Sequence, residues 1–446
     1  MKHNIYPWLP LMLFLTCYSG FLQAQNVTSY SLQQLTDSAL KNNHALTIKE
    51  WQIKEKLAKM SEDEIKKYPS TTLNSNYQYN FILGEITIPA GTIGEVPLTP
   101  TVFLPNTDKS FKVGEHSNYN IGVSAYQPIT QLKKIKTGLE IDKTDVALTQ
   151  KEKIKISLQI KQAVERLYYS TLIVQKQLEE ARAKLELANA KLGDVENALL
   201  AGKTITVNKA GLQANIADEE QNILKLSIQI QDYLGDLINL TGIQSTTIEL
   251  DEKEADLQVV DVVDVYKNNA VNSNIDLQIA NINKSKALLG IKATKQSNLP
   301  DVGLIAGYAY QKGNPLIPSN NPFLGVNLRW NIQDIFSNKE IIKQRAFQVK
   351  QAEENIANTK EQVDNNIDKA YRKISQIQDL IGVAKKAVAF RKEEMKLEED
   401  KQAAGLNLKT DLLNTKASLA KAEADMYAAQ LSYTLAVLDL KSLTGQ

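Results

Sequence analysis

Between Gly122 and Thr241, and again between Gly325 and Thr444, the chain carries the same pattern at a constant spacing of 203 residues with no gap. Gly122-Val123 recurs as Gly325-Val326, Tyr168 as Tyr371, Ala201-Gly202 as Ala404-Gly405, Asp236 as Asp439, and Leu240-Thr241-Gly242 as Leu443-Thr444-Gly445. A period this long is a duplicated structural unit, not a short solenoid repeat. It predicts two halves related by pseudo-symmetry, 25–242 and 264–446, joined by a linker at 243–263.

Most of each half reads as helix. From Leu132 to Leu199 and from Ile335 to Gln402 there is no proline, and Ala, Lys, Glu, Gln, Leu and Ile dominate, all good helix formers apart from the β-branched Ile. Ile160, Val164, Leu167, Thr171, Val174, Leu178, Ala181, Leu185, Ala188 and Leu192 step by four and three, the seam of a coiled coil. Positions 203 further on keep that register, from Val363 and Ile367 to Arg391 and Met395. At 1.5 Å per residue each helix is expected to be on the order of 100 Å long. Each stops at a glycine turn, Ala201-Gly202-Lys203-Thr204 or Ala404-Gly405-Leu406-Asn407, after which a second apolar series begins. A short turn between two such series makes an antiparallel hairpin, expected over 132–240 and 334–443.

The second signal has period two. In Thr72–Phe81 the residues Thr72, Asn74, Asn76, Gln78 and Asn80 are polar while Leu73, Tyr77, Tyr79 and Phe81 are apolar or aromatic. This puts water on one face and apolar material on the other. The alternation returns in Asn118–Tyr126, in Val302–Tyr310 and in Leu324–Trp330, giving strands expected at about 71–81, 117–127, 301–311 and 323–331. Segments of about ten residues with Tyr and Trp near their ends have the size of strands crossing an outer membrane; soluble sandwich strands are the alternative. Tyr77, Tyr79, Val123, Tyr308 and Trp330 are then expected to face lipid, and Asn76, Gln78, Asn120 and Arg329 the lumen. Four strands cannot close a membrane barrel, and an open edge in lipid leaves backbone groups unpaired. Transmembrane strands would therefore require several chains to share one barrel, and three copies would supply twelve strands.

The first residues point to export. Met1-Lys2, the apolar run Trp8–Leu15 and Leu22-Gln23-Ala24 before Gln25 form the charged, apolar and small-residue regions of a signal peptide, expected over 1–24. The single cysteine, Cys17, falls inside it, so no disulfide or cysteine-based metal site is expected in the mature chain. A lipoprotein reading of Leu15-Thr16-Cys17 needs a small residue before the cysteine, and Thr16 is a poor substitute. Lys and Arg number 52 against 51 Asp and Glu, a balance that gives no sign of a nucleic-acid partner.

Catalysis finds little support. Beyond the signal segment the histidines are His44 and His116, in different segments, and acidic pairs alternate with Lys along helix faces. Gly202-Lys203-Thr204 resembles the end of a phosphate loop, but Asn197 stands where the earlier glycine is required and a helix precedes it, not a strand. Neither cofactor nor metal is expected.

Taken together, the sequence resembles the TolC family of outer membrane channel-tunnel proteins over nearly all of the mature chain. The resemblance rests on the duplication, two strands and a long helix per half and the Leu-Thr-Gly endings. It rests also on the openings Ala39–Asn43 and Val265–Asn269 and the proline-marked strand entries Tyr68-Pro69 and Leu299-Pro300. It implies a mainly helical fold with a β-barrel contribution: a homotrimer whose shared twelve-stranded barrel sits in outer membrane lipid and whose α-barrel crosses the periplasm. The function it implies is an exit duct for a tripartite efflux pump or a type I secretion system, joined to an inner-membrane transporter through a periplasmic adaptor.

It further implies that Gly202, Lys203, Gly405 and Leu406 form hairpin tips presented to the adaptor. Asp411, six positions after the second tip glycine, is implied to narrow the periplasmic entrance; an ordinary solvated helix residue is the alternative reading. A second acid that can follow is Asn414 here, and the matching position in the first half is Asn208. The long segment between the first two strands, with Pro89, Pro97, Pro100 and Pro105, is expected outside the cell, either as a plain loop or as a lid. A periplasmic adaptor or a structural coiled-coil protein are the competing readings. An adaptor would carry one hairpin flanked by all-β domains, and a filament would have no need of tyrosine-rich strands.

Overall fold

The computed structural model describes residues 29–97, 102–202, 206–245, 247–251, 258–406 and 409–445, and no side chain at 103 or 206–208. The expected signal peptide lies outside the described residues.

Absence of proline lets two helices run to unusual length, α3 (Gln131–Leu200, 70 residues) and α7 (Gln333–Ala403, 71 residues). Each turns at its glycine into a shorter antiparallel partner, α4 (Thr206–Thr241) and α8 (Lys409–Leu443). The expected seam is the buried one: Ile160, Val164, Thr171, Val174, Ala181 and Ala188 are buried on α3, and Ile367, Ile374, Ile381 and Val388 on α7 at a strict seven-residue spacing.

Before each long helix come two shorter helices and two strands of ten residues or more. In the first half these are α1 (Leu32–Asn42), α2 (His44–Ile65), β2 (Ser70–Tyr79) and β7 (Ser117–Pro128); in the second, α5 (Val263–Ser273), α6 (Ile275–Ser297), β9 (Asp301–Lys312) and β10 (Asn320–Arg329). Local chemistry sets the helix starts. Ser31 and Gln34 form a capping box on α1, the Asn43 side chain accepts from Ala45 N on α2, and Asn274 accepts from Asp276 N and Leu277 N on α6.

These caps align the two halves: Ala39 and Ala270 are both buried, four residues before Asn43 and Asn274, so Asn43 corresponds to Asn274. Each Leu-Thr-Gly ending docks beside its cap: Asn42 donates to Thr241 O at 3.1 Å and Asn274 to Leu443 O at 2.9 Å, where Gly242 and Gly445 turn with positive φ.

The four strands form one antiparallel sheet in the order β10-β9-β7-β2, which leaves β10 and β2 as its edges. Near the sheet α3 packs against α2 and α6, and α6 against α7; further along, α8 lies between α7 and α3 with α4 beyond α3. Four helices thus stand abreast at both levels. The two hairpins are tied through Arg166 to Asp439 at 2.9 Å and Lys416 to Glu186 at 2.8 Å.

Two cores lie midway along the long helices. One gathers Leu35, Ala39, Leu46, Val164, Tyr168, Leu172 and Leu237; the other Tyr266, Ala270, Ile367, Ile374, Tyr433 and Leu440. Within the expected linker, β8 (Glu249–Leu250) pairs in parallel with β1 (Ser29–Tyr30), and Ile248 and Leu250 enter the first core.

The segment between β2 and β7, expected as a plain loop or a lid, carries short strands of its own. It folds into two antiparallel ribbons, β3 (Gly84–Ile88) with β6 (Lys109–Val113) and β4 (Gly94–Val96) with β5 (Val102–Leu104). Its base is tied to the second half by Glu115 N donating to Gly313 O at 2.9 Å.

Candidate functional site: a two-faced sheet and two hairpin tips

Strand register decides which side chains share a face. Asn76 pairs with Asn120 and Asn120 with Gln311; Tyr77 pairs with Tyr119; Leu73 with Val123 and Val123 with Tyr308. One face therefore carries Asn76, Gln78 and Asn120 from the first half and Arg329 from the second. The other carries Tyr77, Tyr79, Val123 and Tyr308, with Trp330 following on in alternation. The two sets named from the sequence fall on opposite sides.

The polar side holds a depression at its ribbon end. Asn76, Gln78, Asn120 and Gln311 line a depression of about 370 Å³ that the ribbon base, with Leu83 and Gly114, helps to close. The opposite side presents Leu73, Tyr77, Val123, Tyr308, Leu324 and Leu328 to the exterior. An exposed apolar sheet face of this size needs a covering.

Glycines make the polar face smooth where aromatic rings lie on it. A Cβ at Gly303 would stand 2.4 Å from the Tyr126 ring, and one at Gly307 2.6 Å from the Phe323 ring. At the end nearest the helices, Asp301 pairs with Arg329 in register, and Lys134, in the first turn of α3, donates to Asp301 Oδ1 at 2.6 Å. Asp301 and Lys134 were not singled out in the sequence. Asp301 sits one residue ahead of the alternation that marks β9, and Lys134 belongs to a different half of the chain.

At the far end of the helices, Gly202 and Gly405 adopt φ of 67° and 70°, a conformation that an L side chain enters with strain. Nothing lies within 4 Å of a Cβ built at either glycine. Gly405 N donates to Gln402 O at 2.9 Å and Leu406 N to Lys401 O at 2.9 Å, closing the helix end and leaving the Leu406 side chain 77% exposed. Lys203 lies outside the described residues, as does the side chain of Asn208.

Asp411 occupies the first turn of α8, and both it and Asn414 are exposed. The Lys401 ammonium is held above its ordinary range by its hydrogen bond to Glu398 and, more weakly, by the Asp411 charge across the turn. That neighbour was invisible in sequence spacing, because it depends on how the turn closes. Among the described residues, no group of His, Cys, Asp and Glu could hold a metal ion, and no helix is long and apolar enough to cross a membrane.

Comparison with known proteins adds two findings. The family model described as "Outer membrane efflux protein" matches residues 35–243 and 267–446. Solved structures of the same fold include the outer membrane protein VceC of Vibrio cholerae, with TM-score 0.69, 14% identity, and 93% of this chain and 96% of that one covered. Another is the CmeC outer membrane channel of Campylobacter jejuni, with TM-score 0.70, 14% identity, and coverage of 93% and 85%. The MtrE outer membrane channel of Neisseria gonorrhoeae, in its open state, matches with TM-score 0.66, 15% identity, and coverage of 93% and 88%. No curated protein sequence matched.

Proposed function

This chain belongs to the outer membrane efflux protein family, and from that premise we propose that it works as one third of a trimeric exit duct, coupled to an inner-membrane transporter through a periplasmic adaptor. The observation that carries this reading is the sheet: four strands with two unpaired edges, one polar face and one exposed apolar face. In lipid each open edge strands backbone donors and acceptors at several kcal/mol apiece. Pairing β10 of one copy with β2 of the next removes every edge, and three copies give twelve strands, an even number within the range of such barrels. The same operation sets the four-abreast helices of each copy into a twelve-helix tube below the barrel. The apolar face then meets lipid and the polar face lines the duct.

The tips are the parts furthest from the barrel, and their open glycine turns and exposed Leu200 and Leu406 support adaptor docking there. Drug efflux and type I protein secretion both fit such a duct. The test uses the full-length protein purified in detergent: native mass analysis is expected to give a trimer, and planar bilayers to show channels. A stable monomer retaining its strands would overturn the shared barrel. If an adaptor crosslinks along the barrel but not near residues 202 and 405, the tip assignment fails.

A further inference from the structure

The polar face of the sheet is almost free of charge. By register it comprises Ser, Thr, Asn, Gln, Gly, Tyr126 and a few apolar residues, and among its described strand residues only Asp301 and Arg329 carry a charge at neutral pH. They stand opposite one another at the end nearest the helices. They do not neutralise each other equally. Lys134 Nζ holds Asp301 Oδ1 at 2.6 Å and also donates to Leu299 O at 3.0 Å. Arg329 comes no nearer than 3.7 Å to Asp301 Oδ2, and its side chain is 81% exposed. An exposed pair at that distance is worth little. The next acid along the chain, Asp334, accepts from the Asn331 side chain at 2.7 Å. Trp330 donates Nε1–H to Asn298 O at 3.1 Å on the opposite side, fixing the strand end and with it the face to which Arg329 belongs. The cluster therefore holds two cations and one anion, with the guanidinium as its solvated member.

We propose that Arg329 forms a cationic ring at the junction of barrel and helical tube and that the duct favours anionic solutes there. This rests on the reading that three copies share one barrel with the polar face inward. Rings of charged side chains set ion preference in pores, and a low-dielectric wall focuses their field into the opening. With the other described strand residues of this face uncharged, the ring is where the strands tell anion from cation, opposite in sign to any preference exerted by Asp411 at the distant entrance.

The experiment is the reversal potential of single channels in planar bilayers under a KCl gradient. It compares the wild type with Arg329→Lys, Arg329→Gln and Arg329→Glu, so that the fixed contribution of Asp411 cancels. At about 0.1 M salt, where the Debye length is ~10 Å, the chloride-to-potassium permeability ratio is expected to fall roughly two- to five-fold in Arg329→Gln and further in Arg329→Glu. Arg329→Lys should stay near wild type, and near 1 M salt the differences should vanish as screening shortens to ~3 Å. Should Arg329→Glu fail to assemble, Arg329→Cys carries the test after insertion. Cys17 is the only other cysteine and lies in the expected signal segment, so a cationic thiol reagent should restore the wild-type preference and an anionic one reverse it. Channels of normal conductance whose reversal potential ignores both substitution and reagent overturn the inference alone. Absence of channels from the wild-type protein overturns the shared-barrel reading and the inference with it.

Discussion

The ring of Tyr126 occupies the space that a Cβ on Gly303 would need, its carbons 2.4 Å from that position. The two residues sit on neighbouring strands of the polar face, near the end where β7 runs into α3. The Tyr126 hydroxyl is fixed there by the Gln131 side chain, which donates to it at 2.9 Å. The glycine lets a large ring lie against the wall, and the ring marks the join between the halves, since β7 and β9 come from different repeats.

Gly303→Val should therefore force the ring off the wall and break its bond to Gln131. Overpacking of this kind costs about 1–3 kcal/mol. The expected result is a lower yield of folded protein in the membrane and an earlier heat dissociation on gels. Gly325→Ala is the control, because a Cβ there meets only Ile305 Cγ2 at an ordinary 3.6 Å. Equal behaviour of the two variants would show that the Tyr126 ring moves freely.

Val123 and Asn120 probe the two faces of one strand. Val123 pairs with Tyr308 on the apolar side and Asn120 with Gln311 on the polar side. Arginine at a lipid-facing mid-strand site costs about 2–4 kcal/mol, and at a lumen site much less. Val123→Arg is expected to lose most of its folded barrel while Asn120→Arg keeps it, as read by protease resistance in native membranes. Equal losses would mean that the faces are assigned the wrong way round or that neither meets lipid.

A charge cluster on α2 and α3 gives a pH dependence. Asp63 accepts from Lys59 at 2.7 Å and from Lys66 at 2.5 Å, and Lys59 also reaches Asp142 at 2.9 Å. These partners, Lys59 first, hold the Asp63 carboxyl well below its ordinary range. A depressed acid stabilises the fold above its unfolded pKa, about 3.9 for aspartate, and that contribution is lost as pH falls through the lower folded value. Asp63→Asn should accordingly lower thermal stability at pH 7, with the difference from wild type closing as the pH drops below about 4. A difference that stays constant from pH 7 to pH 3 would assign the effect to packing.

Much of this architecture is legible in the chain because it repeats. The heptads ending in Ile381 and Val388 gave the hairpins, and the alternation Asn76-Tyr77-Gln78-Tyr79 gave a strand whose faces match the register. What escaped depends on contacts across the repeat. Leu431 and Tyr433, two residues apart on α8, enter different cores, because α8 lies between α3 and α7; a helix buried on two sides shows no single apolar stripe. The ribbons are hard to read from the chain because their strands are short and proline-punctuated, although Glu85-Ile86-Thr87-Ile88 and Ser110-Phe111-Lys112-Val113 do alternate. Around Arg329 the sequence marks the guanidinium but not Asp301, which faces it from the neighbouring strand, or Lys134, which reaches Asp301 from the other half.

The hairpin tip separates a pump-coupled duct from a free-standing pore. Gly405 sits at φ 70° with open space around it, so Gly405→Val meets no steric clash with a neighbour and the penalty is backbone strain alone, on the order of 1–3 kcal/mol. That strain is confined to a turn at the far end of helices of 71 and 35 residues, so trimer formation and membrane insertion should be unchanged. Export through the complete pump should be lost if the turn must keep its shape to receive an adaptor. Asp411→Ala tests the proposed entrance ring: if Asp411 narrows the entrance, removing one acid per copy should raise the conductance of the isolated channel and reduce its cation preference. It also removes a negative charge that interacts with the Lys401 ammonium across the turn, so Lys401→Ala in the same background is the companion measurement. Normal export by Gly405→Val would move the adaptor contact elsewhere on the hairpins. Unchanged conductance in Asp411→Ala would make that residue an ordinary solvated member of the first turn of α8.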